Sequence, residues 1–343
     1  MVNILIVTYS VIAAIIGAGF ASGQEMLLYF VTFNKYGILG IIITVFIFML
    51  FIYAVLNLCV KARFSEYGEF LDIFKMPVLS RAINIITLAF SFAVYSAMIS
   101  ASGEILFNSF GLARSTGTLL CTVFSVILLS ICGDKVFTFN AMLGIILVLL
   151  ITISTMYMLF YREFHVFSDQ TIPAVKSGLI YSGYNLVSLT PVIVTLSKRL
   201  KSQNDTIAAS ISVGIASLII MLLTFWLISI YANKINLGEL PMLTLAKRQN
   251  PTFACMYTFV LSSAIITTLI SSGGGLCNAL KIKSNPLKIS LLSAIEYFVA
   301  GFGFSNLINN MYRICGIIGF FVCILIIYTC LRYKLKNSKK IDF

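Results

Sequence analysis

Apolar runs of about twenty residues, separated by short polar connections, repeat from one end of this chain to the other, and each is long enough to cross a hydrocarbon core of about 30 Å. The pattern predicts an all-α integral membrane protein with about ten spanning helices, over 3–33, 36–60, 82–110, 116–133, 137–161, 172–198, 206–231, 252–278, 287–304 and 307–332. Two of these runs are interrupted by small and polar residues. In the first, Gly17-Ala18-Gly19-Phe20-Ala21-Ser22-Gly23-Gln24-Glu25 breaks the apolar pattern. In the sixth, Tyr181-Ser182-Gly183-Tyr184-Asn185 does so, followed by Ser188, Thr190 and Pro191.

The positions of the interruptions suggest an internal repeat. Gly17 and Gly183 are separated by close to half the chain, and the polar stretch 162–171 divides the spans into five and five. The expected organisation is therefore a first repeat over 1–161 and a second over 172–334, joined in one membrane domain. An odd number of spans per half inverts the second relative to the first. Broken helices at matching positions of inverted halves point to a solute site near the bilayer midplane, because unpaired backbone is tolerated in a membrane only where it lines a protein or water cavity.

Composition narrows the function classes. The 343 residues are 59% hydrophobic and 10% charged, with mean hydropathy +1.01, which excludes a soluble globular domain. A net charge of +12 would ordinarily raise nucleic acid as a partner. Here most of the 24 lysines and arginines fall on one side of the predicted topology, in connections such as Lys198–Lys201 and in the basic tail after Arg332. That bias is the positive-inside signal; it places both termini in the cytoplasm of a multi-pass cell-membrane protein and makes the bilayer, not nucleic acid, the partner. The first segment lacks the basic leader of a cleaved signal peptide. The eight cysteines lie within or at the ends of spans without a C-x-x-C pair, and His165 is the single histidine, so no metal centre, cofactor or Cys/His catalytic set is expected. The chain is read as not an enzyme.

The candidate chemistry is concentrated in the two interruptions. Gly17, Ala18, Gly19, Phe20, Ala21, Ser22 and Gly23, with Tyr181, Gly183, Tyr184 and Asn185, are the expected surroundings of a small-molecule substrate. An unwound segment frees N–H groups at the start of the next half-helix, where the dipole favours a ligand carboxylate. Packing through Gly19-x-x-x-Gly23 is the simpler alternative. Three carboxylates sit at membrane depth, Glu25, Glu104 and Glu296, where each is costly unless paired, hydrated or protonated. Glu25 and Glu104 are the candidates for coupling, Glu104 having an interfacial alternative. Span 8 carries Ser262, Ser263, Thr267, Thr268, Ser271 and Ser272. Most such hydroxyls bond their own helix, yet six so close together suggest one polar face turned inward. Two connections leave alternatives open. Residues 62–77 set Phe64, Tyr67, Phe70, Leu71 and Phe74 against Glu66, Glu69 and Asp72, as a surface helix or a piece packed under the bundle. Residues 233–251 form either a lid or, with more weight, a solvated loop.

The run Gly17–Glu25 resembles the signature of the YkvI-like bacterial membrane proteins of the amino acid–polyamine–organocation superfamily. Tyr184-Asn185 and Gly301-Phe302-Gly303-Phe304-Ser305 leading to Gly316 are weaker matches. The resemblance implies a LeuT-like 5+5 inverted repeat with spans 1 and 6 broken. It also implies secondary active transport of an amino acid or related zwitterion by alternating access. In sodium-coupled proteins of that fold an ion is held by carbonyls before the span 1 break and by an Ala-x-x-[Ser/Thr]-[Ser/Thr] pattern in span 8. The matching positions are Ala13 and Ile16, and Ala264, Thr267 and Thr268. No lysine stands in span 5, the position used by some proton-coupled relatives, so Na⁺ is favoured over H⁺ as the coupling ion. A transporter-fold ligand sensor, such as a spore-germinant receptor subunit, is the alternative reading.

Overall fold

A computed structural model describes residues 2–64, 66–131, 149–157, 171–232, 234–280, 282 and 285–338. All regular structure among them is helical. In chain order the helices are α1 (Val2–Ile15), α2 (Ala18–Ala21), α3 (Gln24–Tyr29), α4 (Gly37–Ala62), α5 (Tyr67–Leu71), α6 (Pro77–Phe110), α7 (Arg114–Ile131), α8 (149–157), α9 (Thr171–Ser197), α10 (Gln203–Ala232), α11 (Pro241–Gln249), α12 (Pro251–Ala279), α13 (Pro286–Ala300), α14 (Phe304–Asn306) and α15 (Arg313–Ser338). Among the described residues six helical segments are long and apolar enough to cross a membrane: Val31–Ala62, Pro77–Phe110, Pro173–Ser197, Gln203–Ala232, Pro251–Cys277 and Phe304–Arg332. Val2–Ile15 and Arg114–Ser130 are shorter apolar helices. Much of the expected fifth span and of the polar stretch between the halves lies outside the described residues.

The first predicted interruption is a real break. Helix α1 stops at Ile15, Gly17 is extended at φ −73°, ψ −175°, and a four-residue turn of helix follows before α3 restarts beyond Gly23. Gly23 has φ +81°, a left-handed conformation in which any β-carbon is strained.

The second predicted interruption is not a break. Helix α9 runs unbroken through Tyr181–Asn185 and past Pro191. Its polar side chains bond back along the same helix: Ser182 Oγ donates to Gly178 O (2.8 Å), Asn185 Nδ2 to Tyr181 O (3.1 Å), Ser188 Oγ to Asn185 O (2.8 Å) and Thr190 Oγ1 to Leu186 O (2.8 Å). Gly183 serves another purpose than unwinding. A β-carbon there would run into Gly316 O and the Phe320 backbone of α15. A β-carbon on Gly316 would in turn strike Ile180 O. The glycines let α9 and α15 approach backbone to backbone, as small residues do where no hydrophobic force separates lipid from protein.

Both open connections resolve into packed structure. In 62–77, α5 and the turn after it bury Phe70, Leu71, Ile73 and Phe74, while Tyr67 Oη meets Thr87 Oγ1 of α6 at 3.0 Å. Glu66 and Glu69 form a reciprocal capping box at its start. The segment is tucked under the bundle. In 234–251, α11 buries Met242, Leu243, Leu245 and Ala246 and packs on α12, with Pro241 and Met242 against Gly23 of the broken span, so the solvated-loop reading falls and the packing fits the lid alternative.

The α9–α15 contact gives a direct test. Gly183→Ala is expected to lower stability by ~1–3 kcal/mol, the range for overpacking. Gly275→Ala, with no atom within 4 Å of its added carbon, should be neutral or slightly stabilising through helix propensity. Thermal melting of the detergent-solubilised variants distinguishes the two.

Candidate functional site

Inside a membrane the polar backbone groups released by a broken helix need partners, and here the protein supplies many of them. Ser22 Oγ donates to Gly19 O (2.7 Å) and accepts from Gln24 N–H (3.2 Å). Tyr257 Oη of α12 donates to Ala21 O (2.7 Å). Met242 N–H of the lid helix α11 donates to Ser22 O (2.9 Å). Thr268 Oγ1 of α12 accepts from Ala18 N–H (3.3 Å). The backbone at Ala18, Gly19, Ala21, Ser22 and Gln24 is therefore engaged by the protein's own groups. The expectation that a ligand carboxylate meets freed N–H groups here is corrected to that extent, and Phe20 is fully buried in the core.

Beside the break lies a buried side-chain cluster centred on Glu25. Glu25 is 5% exposed, and its carboxylate folds back onto Gly19 so closely that a β-carbon on Gly19 would overlap it. Tyr181 and Tyr184 of α9 border this carboxylate, and Tyr29 and Tyr312 lie within its electrostatic reach. The rings form one cluster. Tyr181 and Tyr184 are 5.4 Å apart edge to face, Tyr29 stands 5.4 Å from Tyr181 and 6.0 Å from Tyr184, and Tyr312 lies 4.9 Å from Tyr184. Phe30 closes on the far side, 5.1 Å from Tyr181.

The polar ends of this cluster are not all satisfied by the protein. The hydroxyl of Tyr29 and the Oε1 atom of Gln24 are buried without a hydrogen-bond partner, while the hydroxyls of Tyr181 and Tyr184 face the Glu25 carboxylate. Gln24 is held at its other end, where Nε2 donates to Ser305 Oγ at 2.7 Å, and Ser305 N–H donates to Glu239 Oε2 of the lid connection at 3.1 Å. Each buried, unmatched hydroxyl costs ~1–3 kcal/mol.

Of the other predicted site residues, some converge on this place and some do not. Tyr181 and Tyr184 do. Gly183 faces α15, and Asn185 donates its amide to the Tyr181 carbonyl and also reaches the Tyr181 side chain of the Glu25 cluster. Thr268 reaches the break: besides accepting from Ala18, its Oγ1 lies 3.1 Å from where a Gly17 β-carbon would stand. Thr267 donates instead to Ala264 O (2.9 Å), and Ala264 is fully buried. Ser262, Ser263, Ser271 and Ser272 also bond their own helix, so Thr268 is the hydroxyl of that group seen to cross to the break. Ala13, half-buried, and Ile16, buried, end the first half-helix next to Gly17. Glu104, 3% exposed, forms an ion pair with the exposed Arg114, which lies over the Phe107 ring. That pairing fits the interfacial alternative for Glu104.

Sequence reasoning missed Tyr29, Tyr312, Gln24 and Ser305 as members of the site. Tyr29 stands four residues after Glu25, one helical turn on, and that spacing was the available signal. Tyr312 ends a π-helical turn over Leu307–Tyr312, an irregularity common at functional sites that leaves no mark in an apolar sequence run.

No family model matches this chain. It is 22% identical over 320 residues to the uncharacterized membrane protein YkvI of Bacillus subtilis (strain 168), covering 89% of this chain and 90% of that protein. It is 23% identical over 332 residues to the uncharacterized protein YyaD of the same organism, covering 94% and 96%. Among solved structures it is similar to the Eremococcus coleocola manganese transporter, with TM-score 0.60 and 12% identity over 94% of this chain and 78% of that one. It is also similar to a Na⁺-coupled sialic acid symporter in a substrate-bound outward-open state, with TM-score 0.57 and 15% identity over 88% and 72%. These likenesses show the fold: a multi-pass helical membrane protein with the architecture of solved transporters.

Proposed function

We propose that this chain is a secondary active transporter of a small solute, working by alternating access on a ten-span 5+5 inverted repeat of the LeuT type, in the cell membrane with both termini cytoplasmic. The observation that carries the reading is the broken first span with Glu25 buried beside it among tyrosines, two of whose hydroxyls face its carboxylate. Transporters place solute sites at such breaks, and the fold shared with a manganese transporter and a Na⁺-coupled sialic acid symporter supports the same reading.

An amino acid or related zwitterion suits the site. Its ammonium group would meet Glu25, with the Tyr29, Tyr181, Tyr184 and Tyr312 rings around it supplying cation–π attraction. Among the described residues no three His, Cys, Asp or Glu side chains gather, so the site favours an organic solute over a transition-metal cargo. Na⁺ is the favoured coupling ion, bound where Thr268 meets Gly17 and Ala18, with Ala13 and Ile16 supplying carbonyls. By holding the first span to α12 it would stabilise one state over the other, and only that difference in affinity drives transport. The lid helix α11, tied to Ser22 O and through Glu239 to Ser305, closes the outer side.

Uptake of a labelled amino-acid mixture into proteoliposomes tests the reading. Accumulation is expected with an inward Na⁺ gradient. Accumulation driven by protons alone would move the coupling ion to Glu25, and binding without uptake would favour a sensor. Gly19→Leu drives a side chain into Glu25 and should abolish solute binding while the protein remains inserted. Thr268→Ala should weaken Na⁺ dependence; unchanged dependence places the ion elsewhere. Tyr181→Phe removes a hydroxyl that faces Glu25, so uptake should fall while ligand-free thermal stability changes by no more than ~1 kcal/mol. A fall in both would mean that the hydroxyl is structural.

A further inference from the structure

Glu296 is a second buried carboxylate, remote in role from the broken span. It stands on α13, which packs against α6 and α7. Its partner Ser96 is close to the middle of the long helix α6, which puts the pair at membrane depth. Glu296 is 0% exposed. Its Oε2 accepts a hydrogen bond from Ser96 Oγ, and its Oε1 is buried with no partner. The groups around it are hydroxyls. Tyr95 Oη of α6 bridges Ser125 Oγ of α7 (2.7 Å) and Ser293 Oγ of α13 (3.0 Å), and Ser125 Oγ donates in turn to Thr122 O (2.7 Å). The titratable groups facing this cluster are Tyr95 from α6 and, behind it, Cys121 from α7. Among the described residues no lysine, arginine or second carboxylate pairs with Glu296.

A carboxylate in this position has no counter-charge from the protein and one oxygen with nothing to accept from. Intramembrane acids in that condition belong with ion and proton pathways, because a bound cation offsets the charge that hydrocarbon cannot. Oxygen-only surroundings suit a hard cation and give a transition metal no ligand of its preference. The cluster also touches the helix that serves the broken span: Gly273 of α12 is so close to the Tyr95 ring that a β-carbon there would lie 2.7 Å from Cε2, and the same helix carries Thr268.

We propose that Glu296, with Ser96, forms a second monovalent-cation site between α6 and α13, occupied by Na⁺ or by a proton and distinct from the site at the first-span break. The test uses the purified full-length protein in detergent, with melting temperature followed in two titrations: NaCl replaced by choline chloride at constant ionic strength, and pH. If Na⁺ is the occupant, the wild-type melting temperature rises with Na⁺ by at least ~2 °C, and Glu296→Gln removes that rise. If the proton is the occupant, the wild-type melting temperature falls as pH rises. The sign follows because the folded protein holds a proton that the unfolded chain has released, so raising pH costs stability. Glu296→Gln is then the flatter of the two.

Ser96→Ala keeps the carboxylate and should reduce whichever response the wild type shows, which covers the case in which Glu296→Gln does not fold. Repeating both titrations in Glu25→Gln separates this site from the first-span carboxylate: the response is expected to persist there. Parallel responses of the wild type, Glu296→Gln and Ser96→Ala in both titrations would overturn the proposal, as would loss of the response in Glu25→Gln alone.

Discussion

A helix that breaks inside hydrocarbon must have its backbone groups paired by the rest of the protein, and that requirement organises much of this molecule. Gly17 and Gly23 end one helical piece and begin another, and the carbonyls and amides between them are taken up by Ser22 within the break, by Tyr257 and Thr268 from α12, and by Met242 from the lid helix. Each unmatched group would cost several kcal/mol in lipid. The break thus ties together three parts of the chain that are far apart in sequence, and motion of either α12 or α11 must change the pairing at the break. That coupling is the physical route by which the ion proposed at Thr268, or movement of α11 at Met242, would act on the proposed solute site.

The three membrane-depth carboxylates show how one residue type is put to different uses by its surroundings. Glu104 near the end of α6 reaches Arg114 and becomes an ion pair at the edge of the bundle. Glu25 has no ion-pair partner among the described residues; it is folded over Gly19 and walled by tyrosines, with the Tyr181 and Tyr184 hydroxyls facing its carboxylate. Glu296 lies between α6 and α13 with one serine on one oxygen. Charge in a membrane is expensive enough that the difference between a paired and an unpaired acid is a difference between structure and function.

The sequence by itself determined the fold class, the places of most helices and the break in the first span. Those follow from local chemistry: apolar length sets a span, and a cluster of glycines with Ser22 and Gln24-Glu25 cannot continue a helix across lipid without help. The same local logic misled at Tyr181–Asn185. There the polar side chains close onto their own helix and Gly183 is spent on the backbone of α15, so a similar composition gives a continuous helix. A glycine that unwinds and a glycine that packs look alike in sequence, because the difference is what stands opposite. Only the tertiary structure decided that Tyr29 and Tyr312 join Tyr181 and Tyr184 around Glu25, that Thr268 among six hydroxyls crosses to the break, and that Glu104 is paired while Glu296 is not. Those are contacts between distant segments, and no periodicity along a nearly uniform apolar chain records which face of one helix meets which face of another.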